Sequence, residues 1–514
     1  MKTLLLLVLA LCQEPPAERW VYCSFNLWVD KNVDTLEGIL RRAAKAGYTH
    51  VLVADSKFGK LGDMDARYFR NVERVKKLAA ELKLEIVPAV FPVGYSEAIL
   101  WHDPNLAEAL PVRDAPFVVK DGVARIESDV SLPADFANWD WRDKNMELDG
   151  GAVRVEDGGG QNARVMKKVK VKPYRQYHVA VKAMTKDFGG EPRVNVLAGG
   201  RALVHSHLGV KRAQEWAEHH AVFNSLEHEE VSVYLGAWPA KGGTLAWKDA
   251  RLEEVGLLNV VRREGAPLEV KGYVEGKDYE RVEDPRMGTV PWKGGYEVWH
   301  EPPVLRTKLA DGTRLSVSYH HVVTIHDGQV MICPSEPKTV ELLRDQAKRM
   351  HAAWGARAYF MSHDEIRVMN QDKACRKRGL DAGAILADNA RACVKMLRDV
   401  GAKVYVWSDM FDPHHNARKD YYLVRGDLAG SWEGLDKDVV IAVWYFGKRA
   451  ESMKWFAERG HRMVMAGYYD GDAAANARGW LEAAKGVKGV EAIMYTTWQS
   501  KYADLERFAE VTGK

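Results

Sequence analysis

Short β-rich runs alternate with amphipathic helical stretches along most of this chain, and the alternation stops once. Strands are read at RWVYCSFNLW from Trp20 onward, at Thr49 to Asp55 and at Leu84 to Pro92. Between them lie NVDTLEGILRRAAKAG and RNVERVKKLAAELK, with apolar residues at three- and four-residue spacing, the mark of a helix that buries one face. The same rhythm resumes near Thr339 with the helix TVELLRDQAKRMHAAWG. Five more strands follow, at ARAYFMSHDE, KVYVWSDMF, DVVIAVWYF, RMVMAGYYD and VEAIMYTTW. Three units before the break and five after it make eight β/α units in order, which predicts an α/β fold: a (β/α)8 TIM barrel interrupted after its third strand.

The interruption has a different texture. From about Ser131 to Val255 apolar and polar residues alternate, turns are frequent and helical period is nearly absent. That predicts an antiparallel β-sandwich inserted after strand three. The chain is thus divided into a first barrel part (13–130), a sandwich (131–256) and a second barrel part (257–514), with YEVWHEPPVL and LSVSYHHVVTI read as a long third loop over the barrel mouth. At 514 residues, a second domain or a large insertion is what a chain of this size calls for.

The charge balance, 74 Lys+Arg against 71 Asp+Glu, leaves +3 and no long basic run, so nothing marks a nucleic-acid surface. The beginning, MKTLLLLVLALCQEPPAERW, reads as an export signal over residues 1–12: a lysine, then an apolar run well short of the roughly 20 residues that span a bilayer. It predicts a periplasmic or extracellular protein, with lipid attachment at Cys12 as the competing reading. Cys23, Cys333, Cys375 and Cys393 are scattered without paired metal spacing, and no metal or cofactor is expected.

A TIM barrel carries its chemistry at the C-terminal ends of its strands, so those residues form a candidate site. They are Asp55 on strand two, His363, Asp364 and Glu365 on strand four, and Trp407 and Asp409 on strand five. Trp444 follows on strand six, Tyr468, Tyr469 and Asp470 on strand seven, and Tyr495 and Trp498 on strand eight, with His320 and His321 expected from the third loop. Each aromatic taken singly is core material. With 17 Trp and 20 Tyr in the chain, their recurrence at strand ends beside acids is the informative fact, because a sugar stacks its apolar face on rings and bonds its hydroxyls to carboxylates.

Asp364 and Glu365 stand side by side at the end of an apolar strand, where like charge and partial desolvation must perturb at least one of them. An Asp-Glu pair closing the fourth strand of a barrel resembles the family 20 glycoside hydrolases, the β-N-acetylhexosaminidases. The resemblance implies that Glu365 is the general acid/base and that Asp364 orients the substrate's own 2-acetamido group, which attacks the anomeric carbon. It further implies a tyrosine near strand seven on the acetamido oxygen, Tyr468 or Tyr469, and a sugar pocket lined by Trp407, Trp444 and Trp498. The inserted sandwich is similar to jelly-roll carbohydrate-binding modules in VKPYRQYHVAVKA, FNS…VSVYLGAW and AWKDARLEEV. Two departures stand out: Met361-Ser362-His363 where the family has glycines, and Asn26 and Trp28 on strand one in place of an arginine. His363 is then a candidate to touch a hydroxyl or tune Glu365.

Three functional readings follow. The first is an exported, exo-acting hydrolase of β-linked N-acetylhexosamine working by substrate assistance on an oligo- or polysaccharide. The second is a retaining β-glycosidase with Glu365 as acid/base and Asp470 as nucleophile, which requires carboxylates about 5–5.5 Å apart; Asp364 does not easily fill that role, because neighbours on a strand point to opposite sides. The third is a non-catalytic glycan-binding protein. A metal-dependent hydrolase is disfavoured, since His414-His415 and His320-His321 are adjacent pairs and no HExxH spacing occurs.

Overall fold

The computed structural model describes residues 16–287, 290–292, 295–325 and 328–513. The predicted export signal and Cys12 lie outside them. Among the described residues no helix is long and apolar enough to cross a membrane.

Eight parallel strands close into a barrel in chain order. Strand one is Glu18–Ser24, strand two His50–Ala54 and strand three Glu85–Val90; strand four is Ala358–Met361, strand five Lys403–Trp407, strand six Val440–Val443, strand seven Met463–Tyr468 and strand eight Val490–Thr496. All eight coincide with the segments predicted from sequence. Closure is made by Trp20 opposite Met494 on one side of strand one, and the break is bridged by Phe360 opposite Ala89. Helices form where the periodicity placed them: Asp30–Lys45 buries Val33, Leu36, Leu40 and Ala43, and Ala66–Glu81 starts at Asp65, whose carboxylate accepts from the Tyr68 amide. Helix Pro337–Trp354 begins with its proline in the first turn and stops at Gly355, whose φ of 56° is the left-handed conformation that ends helices.

The inner wall shows why a site opens at one end. Every second residue of each strand points inward. In the middle of the barrel these are large: Trp20, Leu52, Val87, Phe360, Tyr405 and Met494 pack one interior cluster. One step towards the C-terminal ends stand Ser24, Ala54, Ala89 and Ser362, all lining a single cavity. Small side chains on four consecutive strands leave space that the larger layer below does not.

The inserted sandwich is present as two five-stranded antiparallel sheets running from Trp141–Arg142 to Thr244–Val255. Val165, Tyr177, Val194, Phe223, Val233 and Trp247 are buried within it. Beyond it the sequence reading needs correcting. The flanks, taken as barrel and as a long loop over the mouth, pair instead into a third sheet of five strands: Glu269–Val270, Arg314–His321, Leu110–Lys120, Val123–Ile126 and Leu305–Arg306. That sheet has its own core of Val112, Phe117, Leu257, Leu305, Leu315 and Val317. Its strands are joined across the whole insertion, Leu315 opposite Phe117, which is why a chain-order reading did not see them as partners. The excursion leaves and re-enters the barrel at one narrow neck, where the Ser96 amide donates to Val330 O (3.0 Å) and the Ile332 amide to Ser96 Oγ (2.9 Å).

Candidate active site

At the C-terminal mouth lies a cavity of about 540 Å³. Of the predicted residues, Asp55, Asp364, Glu365, Trp407, Trp444 and Trp498 line it together. The tryptophans form a corner: Trp407 and Trp498 are 5.8 Å apart between ring centres, and Trp444 and Trp498 6.1 Å. Tyr22 on strand one closes the corner edge-on to Trp498 at 5.6 Å. Three rings at different tilts around one void present flat apolar faces to a ligand of sugar size, with carboxylates opposite.

Asp364 and Glu365 both face this cavity, against the expectation that neighbours diverge. Strand four ends at Met361, and Glu365 has a φ of 50°. A left-handed residue turns the chain, so the alternation that governs a strand no longer applies. That conformation costs a non-glycine residue on the order of 1 kcal/mol or more, and it is held by specific bonds. The Glu365 amide donates to Asp409 Oδ2 (2.8 Å), and the Gln329 side-chain amide donates to the Glu365 carbonyl (2.9 Å) and to the Gly94 carbonyl (3.0 Å). Gly94 is the glycine that lets backbone approach the pair: a Cβ there would lie 1.8 Å from the Asp364 carbonyl oxygen. The close backbone approach beside the pair thus comes from the segment after strand three.

The Glu365 carboxylate is held from two sides. Arg367 Nη2 lies 2.8 Å from Oε1, and the Tyr95 hydroxyl donates to Oε2. Arg367, whose side chain is 8% exposed, also donates to Gln329 Oε1 and packs over the Tyr422 ring at 5.2 Å. Asp364 differs. Burial, then the neighbouring carboxylates of Asp409 and Glu365, push its carboxyl up to about 8. Burial likewise raises Asp409, although Trp444 Nε1 (3.3 Å) and Asn416 Nδ2 (3.2 Å) donate to it. Burial and the neighbouring carboxylates thus favour the protonated form of Asp364, which lines the cavity.

Glu365 also borders a second, smaller cavity of about 330 Å³, lined by Arg367, His415, Tyr421 and Tyr445 among others. There His415 stacks on Tyr445 at 4.4 Å. Glu365 is therefore the residue between two adjoining ligand-sized spaces, one walled by tryptophans and acids, the other by two arginines and stacked rings.

The other predicted residues lie elsewhere. His363 is fully buried between Phe91 and Phe411, bonded to Asn389 Oδ1 at 3.0 Å and lowered to about 4 by burial, so it reaches no ligand. His321 is fully buried where Gln176 and Asn224 bond its two ring nitrogens, and His320 lies beside Pro267 at a separate cavity; both belong to the third sheet, not to the mouth. Tyr468 and Tyr495 stack on each other at 4.2 Å within the outer core. Tyr469 places its hydroxyl on the carbonyls of Trp444 and Ala466 and thereby braces the tryptophan corner. Asp470 does not line the cavity: its oxygens accept from Thr497 Oγ1 and from the Trp498 (2.8 Å) and Gln499 (3.1 Å) amides, which fixes the turn that presents Trp498. Asp55 accepts from the Leu27 and Lys57 amides and the Tyr68 hydroxyl, a brace at the cavity wall. Trp28 bonds Asp65 at the surface.

Tyr22, Tyr95, Arg367 and Gln329 were missed. Tyr22 was within reach, since it stands two residues beyond the inward-facing Trp20. Arg367 stands two residues beyond Glu365. Tyr95 and Gln329 carry no local signal, because they meet Glu365 only through the neck of the insertion.

No protein-family model and no curated protein matches the chain. Among solved structures, Flavobacterium johnsoniae chitobiase is similar at 10% identity, covering 97% of this chain and 48% of its own, with a TM-score of 0.41. Streptomyces plicatus N-acetyl-β-hexosaminidase, in complex with Thio-NAglucal, is similar at 10% identity over 97% of this chain and 64% of its own, with a TM-score of 0.38. A family 4 carbohydrate-binding module is similar at 12% identity over 28% of this chain and 96% of its own, with a TM-score of 0.18. The chain spans about half the length of the chitobiase.

Proposed function

We propose that this protein is an exported glycoside hydrolase that cleaves terminal β-linked N-acetylhexosamine, with the 2-acetamido oxygen as nucleophile. The observation that carries the reading is the position of Glu365 on the border of two adjoining cavities. A general acid in glycoside hydrolysis must reach the bridging oxygen between two sugars, and a carboxyl shared by two sugar-sized spaces is placed for that. The non-reducing sugar occupies the tryptophan corner and the leaving sugar the smaller cavity. Glu365 gives its proton to the glycosidic oxygen as that bond breaks, and the acetamido oxygen closes on the anomeric carbon. Asp364 accepts from the acetamido N–H and faces the charge that develops on the ring. Water then opens the oxazolinium ring, returning its proton to Glu365.

One observation favours a second assignment of the proton. Asp364 is the carboxyl pushed up to about 8, while Glu365 is paired with Arg367. In that variant Asp364 donates to the leaving oxygen and Glu365 stabilises the cation. A panel of chromogenic glycosides tests the class: turnover of the N-acetyl-β-glucosaminide or -galactosaminide over the plain glucoside and galactoside, with inhibition by a thiazoline analogue, is expected. Preference for the plain 2-hydroxy sugars would remove the acetamido nucleophile from the reading.

A further inference from the structure

Glu108, Cys333, Asp372 and Cys375 come from three distant segments and meet inside the protein, where the neck of the insertion packs against the segment following Glu365. All four are buried, and one ligand atom from each lies within 4.8 Å of every other. Cys333 Sγ and Cys375 Sγ are 3.6 Å apart, and Cys375 Sγ is 3.3 Å from Glu108 Oε2. A tetrahedral ion with bonds of about 2.3 Å to sulfur and about 2.1 Å to oxygen sets its S–S edge near 3.8 Å and its S–O edge near 3.6 Å. These two edges are within about 0.3 Å of those, the other donor pairs lie within 4.8 Å, and a disulfide would require about 2.05 Å between the sulfurs.

We propose that this quartet binds one divalent thiophilic cation of the zinc type, in a closed structural site. Two sulfurs and two carboxylate oxygens form a complete tetrahedral set, and full burial leaves no open position for water, which separates such a centre from a catalytic one. The surroundings hold the donors in place. The Gln371 (2.7 Å) and Asp372 (3.2 Å) amides donate to Glu108 Oε1, leaving Oε2 towards the sulfur. The Cys375 amide donates to Asp372 Oδ1 at 2.9 Å, and Arg263 donates to Asp372 Oδ2 at 2.7 Å. Ser335 Oγ lies 3.1 Å from Cys375 Sγ. Hydrogen bonds of this kind orient ligating groups at metal centres. On binding, each thiol releases its proton to solvent; the four negative donors then face the ion and the Arg263 guanidinium. Without an ion, two carboxylates and two thiols share a dry space with a single arginine, an arrangement that burial penalises.

The ion would clip Glu108 and Cys333, at the two flanks of the insertion, to Asp372 and Cys375 beyond strand four. It does no chemistry on a glycan, so metal content and catalysis are separable, and the inference stands apart from the hydrolase reading. Elemental analysis of the full-length protein, produced with zinc in the medium and purified without chelator, is expected to give one zinc per chain, released on unfolding together with two zinc-protected thiols. Replacement by Co²⁺ is expected to give thiolate-to-cobalt charge transfer and tetrahedral-intensity d–d bands. Cys333→Ser and Cys375→Ser should each lose the ion and lower Tm; where those variants do not fold, the cobalt spectrum of the unmutated protein carries the test. A protein that stays metal-free after incubation with zinc, or a Cys333–Cys375 linked peptide in a non-reducing digest, would overturn the proposal.

Discussion

Glu365→Gln is the substitution that asks most of the site. Glutamine keeps the shape of the side chain and leaves a carbonyl oxygen to accept from Arg367 2.8 Å away. Its amide can donate to the Tyr95 hydroxyl, where the acid now accepts. What is lost is the capacity to carry a transferable proton and, in the ionised form, the negative charge opposite a guanidinium whose side chain is 8% exposed. Leaving a buried charge wholly unpaired costs about 3–5 kcal/mol. Here Gln329 and the Tyr422 ring still hold Arg367, so a stability loss of about 1–3 kcal/mol is expected, read as a shift in Tm. The catalytic loss is separate and larger. General acid catalysis contributes about 10²–10⁴-fold, which is about 3–5.5 kcal/mol of barrier, and it matters in proportion to the basicity of the leaving group. With a β-linked disaccharide, kcat/KM is expected to fall by that factor; with a dinitrophenyl glycoside, whose leaving group needs no proton, by less than about tenfold. Asp364→Asn provides the control, since disorienting the acetamido group slows both substrates alike. If the leaving-group dependence appears in Asp364→Asn and not in Glu365→Gln, the proton belongs to Asp364. If it appears in neither, neither residue is the acid.

Asp364→Asn should also flatten the pH dependence of stability. Folding raises this carboxyl from about 3.9 to about 8, so the protonated form favours the fold, and its contribution, full below the unfolded value, is lost as pH climbs towards 8. Thermal melts of both proteins between pH 4 and 9 would show it, and parallel curves would contradict it. Gly94→Ala should cost about 1–3 kcal/mol or prevent folding, because its methyl would meet the Asp364 carbonyl at 1.8 Å and neither backbone can retreat; an active, equally stable variant would refute that packing. Asp470→Ala should weaken substrate binding by loosening the Trp498 turn. Azide should not restore its rate and a 2-fluoro glycoside should leave no adduct on the wild type; rescue or an adduct would return the nucleophile role to Asp470.

The barrel was legible because its signal is local. Each strand is a short apolar run followed by a helix of matching period, and Leu36 and Leu40 announce their burial by spacing alone. The tryptophan corner was legible for the same reason, since strand ends in a barrel converge by rule. What stayed hidden depends on contacts distant in sequence or on a single dihedral angle. Nothing in HDE says that Glu365 turns left-handed and brings Asp364 to the same side. Nothing in YHH says that the strand carrying His320 and His321 pairs with residues 110–120 on the far side of the sandwich. Cys333 and Cys375 have no motif spacing, and only the neck brings their sulfurs together.

The neck also imposes a schedule on folding. Strand three, already paired with strand two, cannot find its second partner until Phe360 has been made, about 270 residues after Ala89, which at 5–20 residues per second is on the order of tens of seconds of synthesis. For that interval the first three β/α units present an unpaired parallel edge, the kind of template that recruits other chains. The sandwich and the third sheet emerge while that edge waits. The sandwich's two sheets draw only on strands within the insertion, and their folding shortens the gap that Ala89 and Phe360 must close. A chain in which the insertion folds slowly should therefore aggregate during production even where its finished barrel is as stable as the parent's.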